Sequence, residues 1–139
     1  MTSLEGSSID HLNLPVADLD RAIAFHTAAL APLGITSLLH VLPDPASGQK
    51  AMHAFGVDAK PFFWVIDAGR EVHHDSDTHV AFTAPDRDVV DAFFAAALAA
   101  GATVLREPGV CPEYHPDYYG AFVRDPEGVN LEAVCHRAP

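Results

Sequence analysis

Basic residues are scarce in this chain of 139 residues: eight lysines and arginines stand against 19 aspartates and glutamates, for a formal net charge of −11. Such a charge repels phosphate backbones, and the sequence has no basic stripe that would release counterions from a nucleic acid. Nucleic acids are therefore not expected as partners. Long apolar runs are also missing, because no stretch reaches the roughly 20 residues of a membrane span. No association with a membrane is expected.

Cysteine is rare as well. Cys111 and Cys135 are the only two thiols, and they do not form a CxxC pair. The opening residues MTSLEGSSID lack the basic and apolar regions of a secretory signal. We therefore expect a cytoplasmic protein with reduced thiols rather than a disulfide scaffold or a zinc ribbon. The length suits one domain, 1–139, that buries roughly two thirds of its unfolded surface.

The most informative feature that is present is an internal repeat with an offset of 68 residues. The offset lays HLNLPVADLDRAIAFHTAALA, beginning at His11, over HVAFTAPDRDVVDAFFAAALA, beginning at His79. Each segment predicts an alternating strand that carries a histidine, followed by an Ala-rich helix with aspartates at its start. Because the two copies should occupy symmetric positions, the two histidines can meet across a shared axis.

Both copies predict the same order of elements: one strand, one helix and three further strands. The predicted fold class is therefore α+β, with two βαβββ modules at about 8–68 and 77–136 in a pseudo-twofold arrangement. The first module has predicted strands near 8–15, 35–42, 50–56 and 61–67 and a helix from Asp18 to about Leu33. The second has predicted strands near 78–84, 102–106, 118–124 and 129–136 and a helix from Asp86 to Ala100.

A set of three polar residues stands among apolar neighbours in these strands. Glu132 lies in the last predicted strand, where a carboxylate needs an ion, a proton or a hydrogen-bonded partner. His11 and His79 each lie on the face opposite the core-type residues of their strand. Two imidazoles and one carboxylate on one side of an ion leave positions open for water and substrate, as in non-haem Fe(II) oxygenases, although Mn, Zn, Ni or Co also fits. The alternative is three unrelated polar residues on a solvated sheet face.

At this point the chain resembles the vicinal oxygen chelate superfamily, which contains glyoxalase I, extradiol dioxygenases, fosfomycin-resistance transferases and bleomycin-resistance binding proteins. The resemblance covers nearly the whole chain and rests on the two repeat segments and on YYGAFVRDPEGVNLEAV near the end. It implies a U-shaped mixed sheet around a divalent ion, with helices on the outer face. It also places the ligand positions of the family on His11, His79 and Glu132, and homodimers are common among such proteins.

Two departures from the family pattern narrow the expected activity. Glyoxalase I adds a fourth ligand, which is a carboxylate. The equivalent position here holds Trp64, whose indole N–H is a donor only. We therefore expect a site with three ligands and little glyoxalase I activity. The extradiol signature is matched in part: His115 stands at an acceptable spacing, but the tyrosine position of the signature holds Phe122.

The loop 107–120 contains three prolines, three tyrosines and one histidine. We expect it to cover the open side of the ion and to place Tyr114, His115 or Tyr118 nearby. His115 is the candidate acid/base, and Tyr118 is a candidate to supply a hydroxyl. The alternative is a rigid loop that packs outside or forms a dimer contact.

The leading hypothesis is a divalent-metal-dependent enzyme of the glyoxalase/extradiol dioxygenase type, acting on a small oxygenated substrate chelated through vicinal oxygens. The alternatives are a metal-free small-ligand binding protein resembling bleomycin-resistance proteins and a transferase resembling the fosfomycin-resistance enzymes. The remaining histidines are expected in solvated turns or at surface and half-buried positions without a ligand role. They are His26, His40, His53, His73, His74 and His136.

Overall fold

The structure, a computed structural model, describes residues 6–139. Its elements follow the predicted order, and the α+β class with a βαβββ pattern repeated twice is confirmed. The first module contains β1 (Leu12–Val16), α1 (Leu19–Leu30) with a 3-10 turn (Ala31–Leu33), β2 (Thr36–Val41), β3 (Met52–Val57) and β4 (Lys60–Asp67). The second contains β5 (His79–Thr83), α2 (Arg87–Ala99), β6 (Thr103–Val110), β7 (Tyr119–Arg124) and β8 (Asn130–Cys135).

The strands form two four-stranded mixed sheets, with the orders β1-β4-β3-β2 and β5-β8-β7-β6. The register repeats with the offset of 68 residues: Asn13 pairs with Trp64 in the first sheet, and Ala81 pairs with Glu132 in the second. Trp64 and Glu132 are therefore structurally equivalent, as the sequence overlay predicted. In both sheets the first strand of the module is an edge strand, so β1 and β5 each have one unpaired edge.

Both helices begin where the sequence predicted, and α2 also ends there, whereas α1 ends at Leu30 and a 3-10 turn continues to Leu33. Asp18 accepts a hydrogen bond from the backbone N–H of Arg21, and Asp86 accepts one from Val89. Each of these N-caps contributes about 1 kcal/mol. Just beyond the helical segments, Gly34 and Gly101 have φ values of 74° and 111°, in the region that favours glycine.

The two modules share one apolar core. Each helix packs on one face of its own sheet, and the helices also contact each other. The rings of Phe63 on β4 and Phe82 on β5 meet edge to face, with centroids 5.4 Å apart. The core therefore runs continuously from one module to the other through aromatic contacts.

His26 on α1 is fully buried, with 1% of its surface exposed, so the prediction of a surface or half-buried histidine is wrong. Its ring packs against Phe25, Phe55 and Phe63. Burial lowers the pKa of His26 to about 3, so the imidazole is neutral and fits among aromatic rings. Helical spacing alone did not reveal that position 26 faces two strands of the sheet.

The turn between β7 and β8 in the second module is hydrogen-bonded to the start of α1 in the first module. Glu127, between β7 and β8, accepts hydrogen bonds of 3.0 Å from the backbone N–H groups of Ala17 and Asp18 at the start of α1. Its carboxylate also lies 3.2 Å from Arg21 and is 4% exposed. A carboxylate at a helix N-terminus is stabilised by the helix dipole. The turn therefore acts as a clasp between modules.

Two boundaries differ from the sequence prediction and bear on the site. β1 begins at Leu12, so His11 precedes the strand instead of lying within it. β6 extends to Val110, four residues beyond its predicted end, because Gly109 and Val110 pair with Gly120 and Tyr119. The aromatic loop is therefore confined to 111–118. Within 6–139, no helix is long and apolar enough to cross a membrane.

Candidate active site

Glu132 is the centre of the candidate site. It lies on β8 between Ala81 of β5 and Phe122 of β7, and only 2% of its surface is exposed. Its Oε1 is 2.8 Å from Nε2 of His79, and its Oε2 accepts a hydrogen bond from the hydroxyl of Tyr118. The prediction that this carboxylate needs a partner is confirmed.

The backbone at β7 makes room for this carboxylate. A Cβ added to Gly120 would lie 3.1 Å from Glu132 Oε2 and 3.1 Å from a ring carbon of Tyr118. Both contacts are tighter than ordinary van der Waals distance, so a larger residue would push the pair apart. Burial, and then the hydrogen bond to Glu132, raise the pKa of Tyr118 well above its usual range. The phenol therefore stays protonated and acts as a donor.

His11 is not part of this cluster. Its Nδ1 is 2.6 Å from the carboxylate of Asp10, which also lies 2.6 Å from Nζ of Lys60. The hydrogen bond from Lys60, followed by that from His11, lowers the pKa of Asp10. Among residues 6–139 no group of three or more histidine, cysteine or acidic side chains is placed to hold a metal ion. The structure thus brings His79 and Glu132 together and leaves His11 apart.

In the aromatic loop 111–118, Tyr118 is hydrogen-bonded to Glu132, and His115 packs against Tyr118. Nε2 of His115 is 2.9 Å from Nδ1 of His136, and Nδ1 of His115 accepts a hydrogen bond from the backbone N–H of Asp117. Both ring nitrogens of His115 are therefore engaged away from Glu132. Its ring contacts that of Tyr118, with centroids 5.5 Å apart.

Sequence reasoning missed three contributors to this region. Gly120 stands out only as a glycine inside a strand, a position that often marks a close approach. His136 is the hydrogen-bond partner of His115, and the two residues are 21 positions apart in the sequence. The Asp10–Lys60 pair, which holds His11, joins residues 50 positions apart. No local pattern reports such distant partners.

A cleft of about 830 Å³ lies between the edge strands β1 and β5. Its walls are mainly apolar, and His11, His74 and His79 are among its polar lining residues. The volume is in the range of small-molecule sites. Glu132 and Tyr118 do not line the cleft, so His79 is the residue that connects it with the buried carboxylate.

The donor set at Glu132 suits a divalent ion in part. Imidazole and carboxylate are ordinary ligands of Zn²⁺ and non-haem iron. Because each ligand atom sits about 2.0–2.2 Å from such an ion, two neighbouring ligands lie close together, and the observed separation of 2.8 Å is compatible with a shared ion. Two of the three predicted ligands, His79 and Glu132, therefore lie within reach of one ion, and His11 does not.

The fold agrees with comparisons to known proteins. The family model of the Glyoxalase/Bleomycin resistance protein/Dioxygenase superfamily matches residues 8–133, and the chain belongs to this superfamily. The resemblance found in the sequence is thus confirmed. A comparison with curated proteins found no match.

Solved structures with the same fold come from several organisms. A glyoxalase/bleomycin resistance protein from Albidiferax ferrireducens is 26% identical, with 93% of this chain and 99% of that chain covered and a TM-score of 0.78. A glyoxylase/bleomycin resistance protein/dioxygenase domain from Frankia sp. is 21% identical, with coverage of 97% and 100% and a TM-score of 0.71. Glyoxalase I from Zea mays is 23% identical over 94% of this chain and 45% of that chain, with a TM-score of 0.70.

Proposed function

We propose that this protein is a divalent-metal-dependent enzyme of the glyoxalase/extradiol dioxygenase type that acts on a small oxygenated substrate. His79 and Glu132 serve as two ligands and His11 as the third. The observation that carries the proposal is the 2.8 Å contact between Nε2 of His79 and Oε1 of the buried Glu132. When bound, a divalent ion supplies Lewis-acid chemistry, polarising substrate oxygens and stabilising the charge that develops on them.

The residues around the ligands have distinct parts in this proposal. Tyr118 holds Oε2 of Glu132 through its hydroxyl, which leaves Oε1 directed at His79. The raised pKa of Tyr118 keeps its proton in place, so Tyr118 positions the carboxylate and does not act as a base. His115 remains our candidate acid/base. Its Nε2 now faces His136, so it can act on a substrate only if the loop 111–118 moves.

His11 can complete the site by either of two routes. It lines the same cleft as His79, and its side chain is 52% exposed, so the segment preceding β1 can close onto the cleft. Alternatively, a second copy of the chain can deliver His11 to the His79–Glu132 pair of its partner. We favour the second route and a homodimer, because Ile9 and Leu12, which flank His11, are large apolar residues exposed by 76% and 38%.

Metal analysis of untagged protein tests the ligand assignment. We expect about one divalent ion per chain at the site, lost in Glu132→Ala and in His79→Ala because removal of a ligand greatly weakens a three-ligand site. The matched control is His73→Ala, whose side chain is 83% exposed on a loop. The variants should stay folded, since the protein has a core of its own. Unchanged metal content in Glu132→Ala would refute the assignment.

Mixed dimers distinguish the two routes for His11. Chains carrying His11→Ala and chains carrying Glu132→Ala are expressed together and separated as heterodimers by different affinity tags, which are then removed. If ligands come from two copies, each heterodimer has one intact His11–His79–Glu132 site and binds an ion there, although neither parent binds one at that site. If all ligands come from one chain, the heterodimer binds no more metal than its parents. Sedimentation equilibrium measures the dimer itself.

A metal-free binding protein is the second candidate, and one observation favours it. Glu132 is satisfied by His79 and Tyr118 without a cation, next to a mainly apolar cleft large enough for a drug-sized molecule. Binding of aromatic ligands to chelator-treated protein, followed by calorimetry, tests this function. Tight binding that is unaffected by Glu132→Ala and by added metal would favour the binding protein over the enzyme.

A further inference from the structure

Two histidines in the first sheet, which does not contain Glu132, face each other across β2 and β3. His40 and His53 are direct register partners on these antiparallel strands. Their Nδ1 atoms are 3.0 Å apart, and the ring centroids are 5.2 Å apart. Such a separation leaves room for at most one hydrogen between the two nitrogens, so the other nitrogen presents a lone pair to it.

A serine on the same side of the sheet completes the group. The Ser37 hydroxyl is hydrogen-bonded to Nε2 of His53. Ser37 and His40 are three positions apart, so a regular strand would place them on opposite faces. The register shift between Ser37 and Leu39 inserts one extra residue and turns both side chains to one face. Bulges of this kind re-aim side chains and are common beside functional sites.

We propose that His40 and His53 form a second metal site, which binds one first-row divalent ion such as Zn²⁺ or Cu²⁺ through the two Nδ1 atoms. Ser37 accepts the Nε2–H of His53 and so fixes the tautomer that presents the Nδ1 lone pair, as hydrogen-bonded partners of metal-bound histidines commonly do. Water completes the coordination. This proposal does not depend on the proposed function, because its ligands lie on other strands than His79 and Glu132.

The distances suit an ion bridging the two rings. Metal–imidazole bonds are about 2.0–2.1 Å long, so two nitrogens lie about 3 Å apart at the right angle of a square-planar Cu²⁺ site and about 3.4 Å apart on a tetrahedral Zn²⁺. The observed separation of 3.0 Å needs little movement. Both histidines sit on paired strands, which is a stiffer support than a loop.

The His115–His136 pair shows why distance alone is insufficient. Its facing nitrogens are 2.9 Å apart, close to the value for His40 and His53. There, however, the backbone N–H of Asp117 donates to Nδ1 of His115, which leaves the proton of that ring on Nε2, the atom facing His136. A metal on Nε2 would displace this proton to Nδ1, against the Asp117 N–H. Ser37 imposes no such conflict, because a hydroxyl both donates and accepts.

Nitrogen NMR of the histidine side chains tests the proposal on the full, untagged chain. Uniformly ¹⁵N-labelled protein is titrated with Zn²⁺, and the Nδ1 resonances of His40 and His53 are followed. We expect both to shift together and to saturate at one equivalent for this site. The same shifts should occur in Glu132→Gln, which separates this site from the proposed active site. Shifts of only one of the two rings, or of neither, would overturn the proposal.

Affinity measurements with matched variants give a second test. His40→Asn and His53→Asn should each bind one Cu²⁺ or Zn²⁺ fewer per chain than the wild type, and His73→Asn should match the wild type. Ser37→Ala should weaken this site about tenfold to 100-fold, the range for loss of such a hydrogen-bonded partner. The exposed Ser76→Ala is its control. Equal stoichiometry and affinity in all variants would exclude the site.

Discussion

The two modules share strand registers and helix caps, yet differ in the chemistry of their open faces. Positions related by the offset of 68 residues occupy the same places in the two sheets. The first module has Asn13, Ala54 and Trp64 there, and the second has Ala81, Phe122 and Glu132. The repeat therefore reproduces the backbone without reproducing the site. Among these six positions only 132 holds a carboxylate, where Gly120 leaves space and Tyr118 and His79 supply partners.

The largest expected effect concerns His26, whose equivalent in the second module is Phe94. The folded-state pKa of His26 is lowered to about 3, whereas an unfolded histidine titrates near 6.5. The contribution of the neutral His26 ring to the free energy of unfolding is therefore complete above pH 6.5. It is lost as the pH falls toward 3, by up to about 1.4 kcal/mol per pH unit. His26→Phe should remove this slope. Between pH 7 and pH 4 the variant should therefore lose about 3 kcal/mol less of its free energy of unfolding than the wild type.

Urea unfolding of the wild type and His26→Phe between pH 4 and 7 measures this difference. Asp125, 3.8 Å from His26, has a pKa raised by burial and responds to acid in the opposite sense. Because Asp125 is present in both proteins, the effect of His26 is read from the difference between their two pH curves. His73→Phe, at a side chain that is 83% exposed, is the control for removing a histidine. Parallel curves for wild type and His26→Phe would contradict a neutral buried imidazole.

The next effect concerns the clasp between the modules. Glu127→Ala removes a nearly buried carboxylate that receives two backbone hydrogen bonds at the start of α1. Hydrogen bonds to charged groups contribute about 1.5–3 kcal/mol, and we expect a loss of about 2 kcal/mol in the free energy of unfolding. Glu71→Ala, at a carboxylate 80% exposed, should change stability by less than about 0.5 kcal/mol. Thermal unfolding of both variants checks this.

A smaller effect should follow from Gly120→Ala. The equivalent position in the first module holds Met52, so this substitution gives the second module a side chain where the first already has one. The added methyl meets Glu132 and Tyr118 at 3.1 Å, and overpacking of this kind costs about 1–3 kcal/mol. Gly109→Ala is the matched control, since its Cβ would meet nothing closer than 4.0 Å. If the two variants were equally stable, Gly120 would not be needed for the Glu132–Tyr118 contact.

The smallest expected effect is that of Tyr118→Phe, which removes one hydrogen bond from Glu132 and costs about 1–2 kcal/mol. The pKa of Tyr118 is raised in the folded protein, so its stabilising contribution is complete below pH 10 and falls as the pH rises further. The variant should therefore lose stability less steeply than the wild type above pH 10. Alkaline unfolding curves measure this, with Tyr114→Phe, exposed by 58%, as the control.

The fold was largely predictable because its determinants are local. Alternation along each strand, the aspartate caps Asp18 and Asp86 and the 68-residue offset together predicted the element order and the equivalence of Trp64 with Glu132. The end of β6 was not predictable, since Gly109 is typical of a turn and enters the strand only because β7 pairs with it. Pairing across a ladder is a property of two segments and is not encoded in either one alone.

The sequence by itself determined that Glu132 is a carboxylate among core residues and therefore requires a partner, because an isolated buried charge is costly. Tertiary structure decided which partners it has: His79, 53 residues away, and Tyr118, 14 residues away. It also separated His11 from them by pairing it with Asp10, and brought Glu127 to a helix start 110 residues away. Periodicity reports which face a side chain occupies, whereas hydrogen bonds depend on distances of about 3 Å that arise only when both modules pack on one core.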